Sequence, residues 1–413
     1  MEEYNRIKIQ HICSNICSGG TPKSTVTEYY GGNIPWLNTK EINFNQIYRT
    51  EKTITNEGLN NSSAKWIPAK SVIVAMYGAT AGKAAINRIP LTTNQACCNL
   101  MINPTKADYR FVYYALCNDY TYLASLANGG AQQNLNAQQI KDFAIPLPSL
   151  EGQKRIANIL SSLDDKIELN RRINENLEQQ AQALFKSWFV DFEPFKDGKF
   201  VDSELGMIPE GWRVGTLEEI GQIIGGGTPS KANSSFYCEN GIPWITPKDL
   251  SINKSKYISR GENDITEIGY RNSSAKKIPA GSVLFSSRAP IGYIAIANNE
   301  VTTNQGFKSV IPTKAGTCFI YLFLQLYKKY IESLATGSTF KEASGALMKS
   351  LKLKIPPQSI FENFEFMLNP LFSQQCVLES EIDHLSKLRD TLLPRLMSGE
   401  LAITDVDDRS IFQ

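Results

Sequence analysis

From Leu160 onward, apolar and amide residues recur at alternating intervals of three and four: Leu160, Leu163, Ile167, Asn170, Asn174, Leu177, Ala181, Leu184 and Trp188. This a/d spacing marks a helix that packs on another helix, and it predicts one helix from Gln153 to Trp188. No proline interrupts Glu151 to Trp188, and its one glycine is Gly152; at about 1.5 Å per residue the run would span roughly 57 Å. Asn170 and Asn174 lie on the apolar seam, where a buried amide tolerates only a partner that answers its hydrogen bonds. The plainer alternative is a core helix with two polar positions at solvent. A second seam follows near the end of the chain: Phe364, Leu368, Leu371, Leu378, Ile382, Leu385, Leu392 and Leu396, with Gln375 and Arg389 as polar members. Pro370 and Pro394 are expected to kink or end this helix, leaving a regular part from Leu371 to Leu393. Two complementary seams in one chain most simply pack on each other, antiparallel, since the segment between them must return the chain. Otherwise each seam meets a different protein.

The segments outside the seams form two copies of one pattern. Gly19-Gly20-Thr21-Pro22 returns as Gly226-Gly227-Thr228-Pro229, and Ile34-Pro35-Trp36 as Ile242-Pro243-Trp244. Asn61-Ser62-Ser63-Ala64-Lys65 returns as Asn272-Ser273-Ser274-Ala275-Lys276, and Thr92-Thr93-Asn94-Gln95 as Thr302-Thr303-Asn304-Gln305. Ile67-Pro68-Ala69 and Pro104-Thr105-Lys106-Ala107 also recur in order, and the offset stays between 207 and 211 throughout. The chain is therefore a tandem duplication. Within each copy, Ser71–Met76, Ser282–Phe285 and Ile291–Ala297 read as strands, and Tyr109–Leu126 and Phe319–Leu334 as helices. Phe143–Pro148 and Leu351–Pro357 read as closing strands. The expected class is α+β: two tandem mixed globular domains, 1–150 and 212–357, separated by two long antiparallel coiled-coil helices, 151–190 and 358–400. The stretch 191–211 reads as a linker too polar and broken to carry structure of its own, and 401–413 as a tail.

Composition narrows the partners. The 413 residues are 42% hydrophobic and 20% charged, which is ordinary for a globular protein. The net charge of +2 is segregated: residues 1–150 carry +4 and 212–357 carry +8, while 151–211 carry −4 and 358–413 carry −6. Two basic globules would attract a polyanion, and acidic helices suit protein partners. There is no leader-like signal at Met1 and no apolar run near 18 residues, so a soluble cytoplasmic protein with no membrane association is expected. The eight cysteines show no paired framework, and Cys13 and Cys17 lack a second Cys or His pair for zinc.

Catalytic chemistry is hard to build from this chain. Its two histidines, His11 and His384, cannot make a multi-His metal site, and no glycine-rich cofactor fingerprint is present. Gly78-Ala79-Thr80-Ala81-Gly82-Lys83 resembles a phosphate loop but has three residues, not four, between its glycines, and Ala84 follows the lysine. A binding surface remains. In the first copy the candidate DNA contacts are Thr21, Lys23, Asn38, Lys40, Ser62, Lys65, Tyr77, Lys83 and Gln95. In the second they are Thr228, Lys231, Thr246, Lys248, Ser273, Lys276, Arg288 and Gln305. Lysine and arginine neutralise phosphates, small polar residues hold the backbone, and Asn, Gln or Arg can read base edges. Motifs shared by both copies favour scaffold roles, with Trp36 and Trp244 in the core. Base-reading residues should lie where the copies differ, for example Gly129–Leu135 against Gly337–Glu342.

Four stretches carry a family resemblance: Gln153-Lys154-Arg155-Ile156-Ala157, Leu184-Phe185-Lys186-Ser187-Trp188-Phe189, Ile208-Pro209-Glu210-Gly211-Trp212, and Leu392-Leu393-Pro394-Arg395-Leu396 continuing through Leu401. With the duplicated layout they resemble the DNA-specificity subunit of type I restriction-modification systems. The resemblance implies two target-recognition domains that each read half of a split double-stranded DNA site, and helices that dock two modification subunits. Those partners would bind S-adenosylmethionine and methylate adenine, restriction subunits would join with ATP and Mg, and this chain would hold no cofactor and catalyse nothing. One departure is Gln358-Ser359-Ile360-Phe361-Glu362, which replaces the cleaner opening of the first spacer. Other readings are a duplicated binder of glycans or peptides, and a specificity module of a single-chain modification enzyme.

Overall fold

The computed structural model describes residues 4–127, 134–288, 290–337 and 341–401. It divides into two compact units, Met1–Ile167 with His384–Gln413, and Glu168–Asp383. In the first unit a five-stranded sheet runs in the order Cys13–Ser18, Cys97–Ile102, Val72–Ala75, Ala84–Asn87, Asn45–Ile47. Neighbours are antiparallel except the last pair. A second sheet places Tyr30–Leu37 between Lys52–Ile54 and Thr92–Thr93, with Trp36 in register with Thr92. The second unit repeats this plan. Its five strands run Gly221–Gly225, Lys308–Pro312, Val283–Ser287, Ile291–Ala297, Tyr257–Ile258, again with only the last pair parallel. In its smaller sheet Trp244 pairs with Thr302.

The first unit's core gathers Val72, Val74, Leu100 and Phe111 with Ile156, Leu160, Leu396 and Met397. Helix α1 (Tyr109–Asn118) supplies Phe111 and ends at Asp119, where Tyr120–Ser125 begins a separate short helix in place of one run to Leu126. The second unit's core joins Phe319 and Phe323 to Phe185, Phe189, Phe361, Phe364 and Phe372.

The two seams form 40-residue helices, α2 (Leu150–Phe189) and α4 (Gln358–Met397). Within the first unit Arg389 Nη1 donates to Asp164 Oδ1 at 2.8 Å. Within the second, Asn170 Nδ2 donates to Glu381 Oε2 at 2.8 Å, and Gln375 Nε2 to the Asn174 carbonyl at 3.2 Å. These antiparallel contacts engage Arg389, the Asn170 amide nitrogen and Gln375, while the side-chain oxygens of Asn170 and Asn174 are buried without a partner. Leu160, Leu163, Ile167, Asn170, Leu378 and Leu385 are buried, while Leu177, Leu184, Ile382 and Leu392 are half-buried. Near its end α2 buries Ala181, Phe185 and Phe189 instead, because there it packs on Phe319 of helix α3 (Thr317–Leu334) as well as on α4.

Two further expectations are corrected. Helix α4 is continuous through Pro370 and Pro394 rather than regular only from Leu371 to Leu393. A proline costs about 3 kcal/mol within a helix, and burial of Phe361, Phe364, Leu368 and Phe372 around Pro370, and of Leu396 and Met397 beyond Pro394, offsets it. The linker, in turn, is structured. Glu193–Phe195 forms a 3-10 turn, Phe200–Val201 pairs with Ile208–Pro209, and Phe192 and Ile208 are buried. Phe192 and Phe195 stand edge-on to Trp212, each with ring centroids 5.3 Å apart, so aromatic packing anchors a segment whose composition reads as a loop.

Candidate nucleic-acid interface

The repeated motifs converge in each unit. A Cβ on Gly20 would lie 2.2 Å from the Ala64 backbone nitrogen, and one on Gly227 2.3 Å from that of Ala275. Only glycine permits this close approach. The Trp36 indole nitrogen donates to the Gly20 carbonyl at 2.9 Å, and that of Trp244 to the Gly227 carbonyl at 3.0 Å. Tyr30 and Tyr237 donate to the Pro22 and Pro229 carbonyls, both at 2.7 Å. Thr21 bonds Gln95 and Thr228 bonds Gln305, tying the first repeated motif to the Thr-Thr-Asn-Gln motif. The matched tryptophans are core residues, at 4% and 6% exposure.

In the second unit this framework floors a cleft of about 680 Å³. Thr228, Lys231, Thr246, Lys248, Arg288 and Gln305 line it, so six of the eight residues expected to touch DNA there are brought together. The other two stand apart from it. Ser273 Oγ donates to the Tyr270 carbonyl and accepts from Ala275 N, a turn contact, and Lys276 is exposed elsewhere. Thr246 N and Oγ1 donate to Asp249 Oδ2 at 2.7 and 2.6 Å, so Thr246 caps the short helix Pro247–Ile252. At the rim Lys248 pairs with Glu262 at 2.6 Å.

The first unit keeps the same parts. Asn38 caps the turn Thr39–Glu41, and Lys40 pairs with Glu51 at 2.6 Å. The hydrogen bond and charge of Glu51 hold the Lys40 ammonium above its ordinary pKa, as those of Glu262 do for Lys248. Ser62 repeats the turn contact of Ser273, donating to the Leu59 carbonyl and accepting from Ala64 N. Lys23 and Lys65 are exposed. Lys83 donates to Asn43 Oδ1 at 2.6 Å, and Tyr77, 44% exposed, bridges Asn134. The turn at Gly78–Thr80, with Gly78 and Gly82 at positive φ, is a bend between strands.

Of the segments singled out as differing between the copies, residues 129–133 and 338–340 lie outside the described residues. Glu342 is described, and with Lys308 it belongs beside the cleft: Lys308 Nζ donates to Glu342 Oε1 at 3.0 Å, and Arg288 Nη1 lies 3.8 Å from Glu342 Oε2. Lys308 was not foreseen; its only sequence signal is that the first copy has Cys98 at the matching place. Among the described residues no group of three or more His, Cys, Asp and Glu could hold a metal, and no helix is long and apolar enough to cross a membrane.

The chain matches the family model described as type I restriction modification DNA specificity domain over residues 1–179 and 209–375. It is similar to the type I restriction enzyme MjaIX specificity subunit of Methanocaldococcus jannaschii, 30% identical over 98% of this chain and 95% of that protein. It is 29% identical to the HindI specificity subunit of Haemophilus influenzae over 68% of this chain and 74% of that protein. Its fold resembles the S subunit of a type I restriction-modification system from M. genitalium, with a TM-score of 0.62 at 18% identity over 96% and 97% of the two chains.

Proposed function

The chain belongs to the type I restriction-modification DNA specificity family, whose domain it carries twice, and from that premise we propose how it divides the work. Each unit contacts one half of a split duplex target, and the two 40-residue helices set the unread gap between the halves. The helices dock two modification subunits, which bring S-adenosylmethionine and the methyl transfer to adenine. Restriction subunits join that assembly with ATP and Mg. This chain contributes recognition and no catalysis.

The observation that carries the reading is the cleft of the second unit, where Lys231, Lys248 and Arg288 converge with Thr228 and Gln305 on a framework built twice. Cations there neutralise phosphates, and the amide and guanidinium can meet base edges. Sequencing methylated adenines in cells that carry this chain with its modification subunit tests it. Methylation confined to a bipartite sequence with a fixed gap is expected, and scattered methylation would overturn the reading. In a salt titration of the purified complex, log affinity for DNA should fall steeply with log salt; a glycan or peptide binder would show almost no slope.

A further inference from the structure

We propose that Arg288 is the base-reading residue of the second unit, presenting its guanidinium fork to a guanine of that unit's half-site; this rests on the DNA-specificity reading above. The two cleft frameworks are nearly the same. The Thr–Gln tie, the tryptophan-to-glycine hydrogen bond and the lysine–glutamate rim pair occur in both units. Contacts made by both copies cannot tell one half-site from another. Discrimination must come from what one copy has and the other lacks.

Arg288 is such a residue. By register its counterpart in the first copy is Tyr77, since Met76 N donates to the Ala96 carbonyl at 2.8 Å as Ser287 N does to that of Gly306, and Lys83, the cation at the far end of that turn, is bonded to Asn43 instead. The backbone just before Arg288 is held by both groups of Ser287: its N–H donates to the Gly306 carbonyl at 2.7 Å, and Ala343 N donates to its carbonyl at 2.9 Å. Behind the guanidinium stands Glu342, whose N–H donates to the Thr336 carbonyl at 2.9 Å. Its carboxylate takes the Lys308 ammonium at 3.0 Å on one oxygen and leaves the other 3.8 Å from Arg288 Nη1. Lys308 offsets the negative charge that would otherwise repel a phosphate. At that distance the carboxylate attracts the guanidinium without hydrogen-bonding it, and Arg288 lines the cleft. A planar, oriented pair of donors matches the O6 and N7 acceptors of guanine in the major groove, whereas Lys231, an ammonium on a flexible stem, acts as a point charge toward phosphate.

The test maps methylation in cells carrying the full chain with its modification subunit, for wild type and for the Arg288→Ala, Arg288→Lys, Glu342→Gln and Lys231→Ala variants. In Arg288→Ala, and in Arg288→Lys if the alanine variant fails to fold, one guanine position in one half-site loses its requirement. Discrimination there drops on the order of 10- to 100-fold, and the other half-site and the gap stay unchanged. Glu342→Gln relaxes the same position more weakly, and Lys231→Ala lowers methylation evenly at all sites. An unchanged consensus in both Arg288 variants, an even loss at all sites, or a wild-type site without guanine in either half overturns the assignment. Wild-type methylation that is not bipartite instead overturns the DNA-specificity reading itself.

Discussion

The ammonium of Lys256 lies 3.2 Å from the ring centroid of Phe372. It also donates to Glu178 Oε2 at 2.9 Å and Gln375 Oε1 at 2.8 Å, and Tyr321 stands on another side at 4.3 Å. The backbone N–H groups of Lys256 and Tyr257 donate to the two oxygens of Glu379 at 2.8 and 3.0 Å. Together these contacts pin the edge strand Tyr257–Ile258 of the second unit's sheet to α2 and α4. Burial pushes the Lys256 pKa down, with Glu178 opposing, and burial pushes that of Glu379 up.

Breaking that clasp on one side should cost more than removing it whole. Lys256→Met leaves Glu178 without its cation in a mostly buried place and is expected to lower the unfolding free energy by about 3 kcal/mol. Adding Glu178→Met should recover most of the loss. Urea unfolding of the single and double variants measures both, and additive losses would refute the coupling.

Removing the indole donors gives a matched pair of tests. Trp36→Phe and Trp244→Phe each leave a buried glycine carbonyl unanswered, at a cost of about 1–3 kcal/mol. Each should weaken methylation directed by one half-site while the consensus of the other half persists. Equal damage to both halves from either variant would count against separate recognition units.

Cys13 is held by burial at a pKa of about 12, well above an ordinary thiol. Only the thiolate reacts, so at pH 8 roughly one Cys13 in 10⁴ is competent. Alkylation of Cys13 in the native protein, followed by mass spectrometry, should therefore rise about tenfold per pH unit through pH 10. A plateau near pH 9 would show an unperturbed thiol.

Lengthening both helices tests the gap. An a/d-patterned heptad inserted after Ile167, and another after Asp383, leaves the contacts within each unit in place. The added seven residues correspond to about 10 Å, on the order of three base pairs. Methylation mapping should show the same two half-sites with a wider gap, and an unaltered gap preference would sink the idea.

Much of this architecture was legible in the chain because duplication writes it twice. Collinear motifs at a steady offset disclose two units, and the three-four spacing of Leu160, Leu163 and Ile167 discloses α2. Pro370 misled because local propensity says nothing of Phe364, Leu368 and Phe372, whose burial carries the helix through it. The linker misled for a similar reason, since Phe192 gains its partners only from Trp212 in the folded unit. Six of the eight residues named from type alone in the second unit line one cleft, yet Asn38 and Thr246 are spent on capping, which spacing did not reveal. Lys256 carries no sequence signal: between Asn253-Lys254-Ser255 and a short strand it reads as a solvated lysine.

The paired frameworks of Gly20 with Trp36 and Gly227 with Trp244 also bear on inheritance. A conversion tract between the two coding halves, with both its ends inside shared motifs, would copy the unlike segment of one half into the other and keep the framework bonds on both sides. Such a gene can acquire a new target by recombining with itself.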